Sequence, residues 1–241
     1  MEPPRVLSVS QVNAYIGCPL KYRFQYVDKI PRPWRVAAMA FGTSVHAGVE
    51  WFHRERMAGR SPELKKVLEV FDADWYAQNV EPLVFSEKES KDSLAEKGRG
   101  MLQLYVESCN GANPVAVEQY FELDLADPET GEVLDVRLRG VIDLVEEGDV
   151  LVDLKTAKPR LERHETTRSL EDLGWTARLI KEVAVAIETE HFFPNPSWRC
   201  TECEYFAHCQ RWRGWEPPRV ETLVTVGGEG AGKTATQGSQ G

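Results

Sequence analysis

The spacing of apolar side chains changes near residue 115, from a helical period to an alternating one. Upstream, Phe41, Val45, Val49 and Phe52 recur every three or four residues and predict a helix over about 42–58. Val12, Tyr15 and Ile16 form a shorter stripe after Ser8 and Ser10, either of which suits an N-cap. Leu64, Val67, Leu68 and Phe71 follow Ser61-Pro62, where proline at the first helical position predicts a helix start. A third helix is predicted from Leu94 to Val106, despite Gly98 and Gly100. Downstream the pattern predicts strands at Val115 to Leu125, Val133 to Val145 and Val150 to Leu154, separated by turn signals at Asp127–Gly131 and Glu147–Asp149. A last helix runs from Ser169 to about Glu190, with Leu173, Ala177, Ile180, Ala184 and Ile187 on one face. Ser169 and Asp172 have capping-box spacing at its start.

The chain has 241 residues, 42% hydrophobic and 28% charged, enough for one large domain or two small ones with a real core. No apolar run approaches the roughly 18 residues of a membrane span, and Met1-Glu-Pro-Pro has no signal-like apolar stretch. The expected location is therefore cytoplasmic, without a membrane partner, where clustered cysteines more often bind metal than form disulfides. The net charge of −9 weighs against a simple electrostatic DNA binder. Patches matter more than totals, however, and carboxylates at a metal site count toward the sum. Residues 1–215 read as one domain and 216–241 as a flexible tail rich in Gly, Thr and Gln. Gly227 to Thr234 matches a phosphate-loop pattern, but seven residues follow it, too few for the helix whose N-terminus binds the phosphates. The match is read as a coincidence.

The chemistry lies in the strands. Asp143 sits in one; Asp153 and Lys155 sit two apart in the next and so share a face. Each aspartate is embedded in apolar residues, and a charge in such a strand needs a partner. Two carboxylates converging from a hairpin suit Mg²⁺ or Mn²⁺. A bound cation makes water more acidic and stabilises charge on a phosphate, and a neighbouring lysine can counter that charge.

Four further residues suggest a second centre. Cys200, Cys203 and Cys209 form a C-x2-C-x5-C cluster, and Cys18 stands alone near the start. Four thiolates can hold tetrahedral Zn²⁺ or a [4Fe–4S] cluster. Cys109 is left over as a core residue of the third helix. Near the cysteines, Lys21, Arg23, Arg211, Arg213 and Arg219 interleave with Tyr22, Phe24, Trp212 and Trp215. Such a set can hold phosphates and stack on unpaired bases.

Gly140-x-x-Asp143 followed by Asp153-x-Lys155-Thr-x-Lys158 resembles the PD-(D/E)xK nucleases, specifically the RecB-type branch. Gly42-Thr-Ser-Val-His46-x3-Glu50 resembles the helix that supplies a histidine metal ligand in that branch. The cysteine arrangement, with Cys18-Pro-Leu-Lys-Tyr22 and Pro194-x-Pro196, is similar to the iron–sulfur staple of RecB-like, CRISPR-associated and AddB-like exonucleases. The resemblance covers roughly residues 8–215. It implies an α/β fold with a restriction-endonuclease-like core, a small mixed sheet flanked by helices. It implies that His46, Asp143, Asp153 and the Leu154 carbonyl hold Mg²⁺ or Mn²⁺, with Asp143, Asp153 and Lys155 catalytic. It favours a [4Fe–4S] cluster on Cys18, Cys200, Cys203 and Cys209 over Zn²⁺. Lys21, Tyr22, Arg23, Trp212 and Arg213 are the candidate DNA contacts.

The family usually carries Gln-x3-Tyr on a helix after the lysine, then another core strand. Here Tyr205 is the sole tyrosine beyond Lys155. The short polar segment from Lys155 to Ser169 reads as lacking both helix and strand. The expected activity is metal-dependent DNA exonucleolysis on single-stranded ends, in repair, recombination, or phage- or CRISPR-linked processing, with any unwinding from a helicase partner. The alternatives are an inactive DNA-binding subunit and a zinc-stabilised interaction module.

Overall fold

The computed structural model describes residues 5–78, 82–109, 114–127, 129–148, 150–157, 160–165 and 168–214. The expected tail, the phosphate-loop match, Lys158, Trp215 and Arg219 lie outside them.

Strand β1 (Arg5–Ser8) leads directly into α1 (Val9–Gly17), which Ser8 caps in a reciprocal capping box with Gln11. Cys18 separates α1 from the single turn α2 (Pro19–Tyr22), which continues as a π-turn over Arg23–Val27. The two-residue strand β2 (Arg35–Val36) precedes the long helix α3 (Ala37–Met57). Helix α3 therefore begins about a turn earlier than its apolar stripe suggested. Helix α4 (Leu64–Ala77) starts after Pro62, with Glu63 rather than Ser61 at the cap position. Strand β3 (Leu83–Val84) pairs with β2, and α5 (Lys91–Ser108) follows.

The main sheet comes next: β4 (Pro114–Ala126), β5 (Val133–Glu146), β6 (Val150–Lys155) and β7 (Glu162–Glu165). Helix α6 (Leu170–Glu188) carries the expected Ser169–Asp172 capping box. A 3₁₀ turn at Trp198–Glu202 and the short α7 (Phe206–Trp212) complete the described chain. Among the described residues no helix is long and apolar enough to cross a membrane.

Strand β5 organises the sheet. One edge pairs antiparallel with β4 along nearly its whole length. The other edge holds β1, parallel, at Val136–Arg139 and β6, antiparallel, at Leu144–Glu146. The sheet is therefore mixed. Leu144, Val152 and Leu154 project from its inner face onto Phe41, Val45 and Val49 of α3 and the helices behind it. Leu134 and Val136 instead meet α1 and α6. This is a small mixed sheet flanked by helices, a restriction-endonuclease-like arrangement.

Strand β7 corrects the sequence expectation. The segment thought to lack a strand pairs antiparallel with β6, Asp153 opposite His164 and Lys155 opposite Glu162. Its sequence, Glu-Arg-His-Glu, has no apolar alternation. Backbone pairing holds it, with Arg163 bonded through two nitrogens to the buried carboxylate of Glu146. The expected loss of the helix stands: among the described residues none is helical between Lys155 and Leu170.

Candidate metal centre and active site

The β5–β6 ladder stops where the charged residues begin. Leu144, Val145 and Glu146 lie opposite Val152, Leu151 and Val150. One step further, Asp143 and Asp153 would face each other, but the strands part there. Asp143 Oδ2 instead accepts a hydrogen bond from the Leu154 amide at 2.7 Å. On the far edge, Val117 pairs with Leu144 and Gln119 with Ile142, which leaves Glu118 beside Asp143. Glu118 has φ 46°, in the left-handed region that residues other than glycine rarely adopt.

His46 comes from the middle of α3. Its neighbours Val45 and Val49 are buried in the core, which fixes the rotation of the helix. Gly42, one turn earlier, allows close approach to the end of β6: a Cβ there would lie 3.3 Å from the Thr156 hydroxyl. His46 Nδ1 lies 3.3 Å from Glu118 Oε1 and 3.8 Å from Asp143 Oδ1. Its Nε2 lies 3.2 Å from the Leu154 carbonyl.

These contacts set the electrostatics. The hydrogen bond to Glu118 raises the pKa of His46; burial opposes that rise, and the charge of Asp143 and the Leu154 carbonyl add to it. Burial raises the carboxyl pKa of Asp143, against the Leu154 amide and His46, and the charges of Glu118 and Asp153 push it further up. The site thus holds concentrated negative charge on a partly desolvated floor.

A divalent cation fits this arrangement. The ligand atoms of His46, Glu118 and Asp143 lie within 4.8 Å of one another, the one such trio among the described residues. An imidazole and two carboxylates are donors that Mg²⁺ and especially Mn²⁺ accept. The partly buried negative charge at Asp143 is what a cation would offset.

Asp153 and Lys155 sit beside this trio, on the outer face of β6. Lys155 Nζ donates to Asp153 at 2.8 Å, and both side chains are about half exposed. Asp153 is not part of the tight trio. Glu118 takes that place, and sequence reasoning missed it. The turn at Asp127–Gly131 alone would set Glu118 across from Val141; a shift of register between Asp124 and Ala126 moves it beside Asp143, so turn spacing did not point to it.

Gly140 has a local cause as well. A Cβ at that position would lie 2.7 Å from the Phe121 ring and 3.2 Å from Val9. The glycine of the Gly-x-x-Asp motif lets the Phe121 ring lie close against β5, three residues before Asp143. Glu50 pairs with Arg54 at 2.5 Å and lies outside the trio. His53 is fully buried, with Nε2 2.7 Å from the Tyr105 hydroxyl.

The cysteines separate into a set of four and a remainder. Cys18, Cys200, Cys203 and Cys209 line one cavity of about 140 Å³. Leu20, Phe24 and Tyr205 pack beside it as a small buried cluster. Cys109 lies elsewhere, at the end of α5, and its sulfur accepts from Arg56 at 3.2 Å. No three of the cysteine sulfurs lie within 4.8 Å of one another. A single zinc ion would draw its sulfurs to about 3.8 Å apart, given Zn–S bonds of about 2.3 Å.

The candidate DNA contacts are dispersed. Tyr22 is 3% exposed, stacked on Phe192, and offers no face to a base. Phe24 is also buried. Lys21 pairs with Glu204 at 2.8 Å and Arg23 with Asp28 at 3.2 Å. Trp212 and Arg213 remain exposed at the end of the described chain.

The PD-(D/E)XK nuclease superfamily model matches residues 6–174. The chain belongs to that superfamily. Membership implies a metal-dependent nuclease, with DNA as its substrate class. Among curated proteins and solved structures, none matches the chain.

Proposed function

We propose that the protein is a Mg²⁺- or Mn²⁺-dependent deoxyribonuclease that degrades DNA from single-stranded ends. The observation that carries this reading is the convergence of His46, Glu118 and Asp143 at the point where β5 and β6 part, next to Asp153 and Lys155. His46, Glu118 and Asp143 would hold the cation, with Asp153 joining from the neighbouring strand, while the Leu154 carbonyl accepts from His46 Nε2 and fixes the ring. When bound, the cation lowers the pKa of water and offsets charge on the phosphate.

The protein's own groups do the rest. Asp143 is held in one orientation by the Leu154 amide. Asp153 keeps Lys155 beside the reacting phosphate. Lys155 turns its ammonium to the attacking water and to the negative charge that gathers on the phosphoryl oxygens. The water oxygen bonds to phosphorus and gives up its proton to solvent, the ester P–O bond breaks, and the departing oxygen takes up a proton from solvent. Cleavage of end-labelled DNA with and without Asp153→Ala tests the assignment. Such an enzyme would serve end processing in repair or recombination, with unwinding supplied by a helicase partner.

We further propose that Cys18, Cys200, Cys203 and Cys209 hold a [4Fe–4S] cluster that joins the N-terminal helices to the C-terminal segment. The cavity lined by all four cysteines supports that reading. Iron content and visible absorbance after anaerobic purification test it, and a colourless protein with one bound zinc would contradict it.

A further inference from the structure

A second cavity, of about 330 Å³, lies between α1–α2 and the cysteine turn and shares Cys18, Cys200 and Cys203 with the four-cysteine cavity. Lys21, Arg32 and Arg199 all line it. Glu204, 11% exposed, lies 2.8 Å from Lys21 and 3.8 Å from Arg32 and holds those two cations at the wall. Three cations against one carboxylate leave the groove positive in a chain of net charge −9. Asn13 and Gln25 add amides, and Tyr26 adds a ring that packs at a tilt against Tyr22, with centroids 5.0 Å apart.

The groove ends at Met39, which is 57% exposed in the first turn of α3. Met39, Thr43 and His46 are spaced four and three residues apart and share one helix face. From Met39 to His46 the helix rises about 10 Å. Met39 at the groove and His46 at the candidate metal centre therefore lie on the same side of α3.

We propose that this groove binds single-stranded DNA next to the scissile phosphate, a deepening that rests on the nuclease reading. Lys21, Arg32 and Arg199 hold the backbone. Tyr26 and the amides of Asn13 and Gln25 meet the bases. A B-form duplex, whose major groove alone is about 12 Å wide, does not enter a cavity of this size, whereas an unpaired strand does. Base stacking of this kind tolerates any sequence, so the groove selects strandedness rather than sequence.

The test is fluorescence anisotropy of a short fluorescein-labelled oligothymidine with Ca²⁺, over a salt series. Arg32→Gln with Arg199→Gln is expected to weaken binding about tenfold and to flatten the log–log salt slope by about 1.4, at about 0.7 for each phosphate that is no longer neutralised. Asn13→Lys, which adds a cation at an exposed position on the groove wall, is expected to tighten binding and steepen the slope, a gain that misfolding cannot produce. Unchanged affinity and slope in all variants would overturn the proposal. An equal change for a blunt duplex would overturn its single-strand character. Parallel cleavage assays with Mn²⁺ separate the two readings. Cleavage with unaltered binding in the variants sinks the groove alone. Groove-dependent binding without cleavage sinks the nuclease and leaves the groove.

Discussion

The backbone of Leu154 serves two residues at once. Its amide donates to Asp143 Oδ2 at 2.7 Å, and its carbonyl lies 3.2 Å from His46 Nε2. Strand β6 gives up its ladder bond to β5 at this step and uses both backbone groups to orient the candidate ligands. Buried backbone groups need partners, so the fork and the site are one feature.

Asp143→Asn is expected to abolish metal-dependent cleavage. The loss should exceed the roughly 10–100-fold typical when a residue that only orients a ligand is removed. Thermal stability without metal should hold or rise, because the substitution removes a carboxylate whose charged form burial disfavours. A melting curve beside the activity assay checks both halves; retained cleavage would contradict the assignment.

Metal affinity should fall as pH drops. The pKa of His46 is raised above 6.5, first by its bond to Glu118. A protonated imidazole cannot ligate, so binding weakens as pH falls through that raised pKa. Glu118→Gln removes the largest cause and should move the acid limb to lower pH, while weakening binding overall. Mn²⁺ titration across pH measures this. A limb that stays in place would show that Glu118 does not govern His46.

Gly140→Ala should destabilise the protein by about 1–3 kcal/mol, the usual cost of overpacking. The new methyl would meet the Phe121 ring at 2.7 Å. Adding Phe121→Leu should restore much of the loss. Denaturant midpoints of the single and double variants decide it; an additive double variant would mean the ring is not the cause.

His53 should make the protein acid-sensitive. Burial, helped by Arg56, lowers its pKa to about 4, below the ordinary 6.5. The unfolded chain therefore takes up this proton first as pH falls. The stabilisation is complete above pH 6.5 and is lost as pH falls through about 4. It amounts to about 3 kcal/mol at order of magnitude. Replacing His53 with Phe should flatten the pH dependence of the unfolding midpoint in that window. An unchanged profile would exclude His53 as the source.

The three long strands and α6 were legible because burial on one face imposes a period, and turns and caps mark the ends. Asp143, Asp153 and Lys155 stood out as charges within apolar strands. Glu118 is a charge of the same kind, but its place beside Asp143 depends on a register shift between Asp124 and Ala126 that the turn spacing does not reveal. Strand β7 was hidden because its four residues carry no apolar alternation and depend on Glu146 and neighbouring backbone. The stacking role expected of Tyr22 failed for a different reason. Basic and aromatic residues adjacent in sequence divided between surface and core, with Tyr22 buried at 3% and Lys21 turned to Glu204.

The most direct test is cleavage of end-labelled single-stranded DNA by anaerobically purified protein with Mn²⁺, beside Asp153→Ala and Lys155→Ala. The expected result is metal-dependent cleavage by the wild type and none by either variant. A folded, iron-loaded wild type that binds the strand without cutting it would contradict the nuclease and point to a DNA-binding subunit built on the same fold.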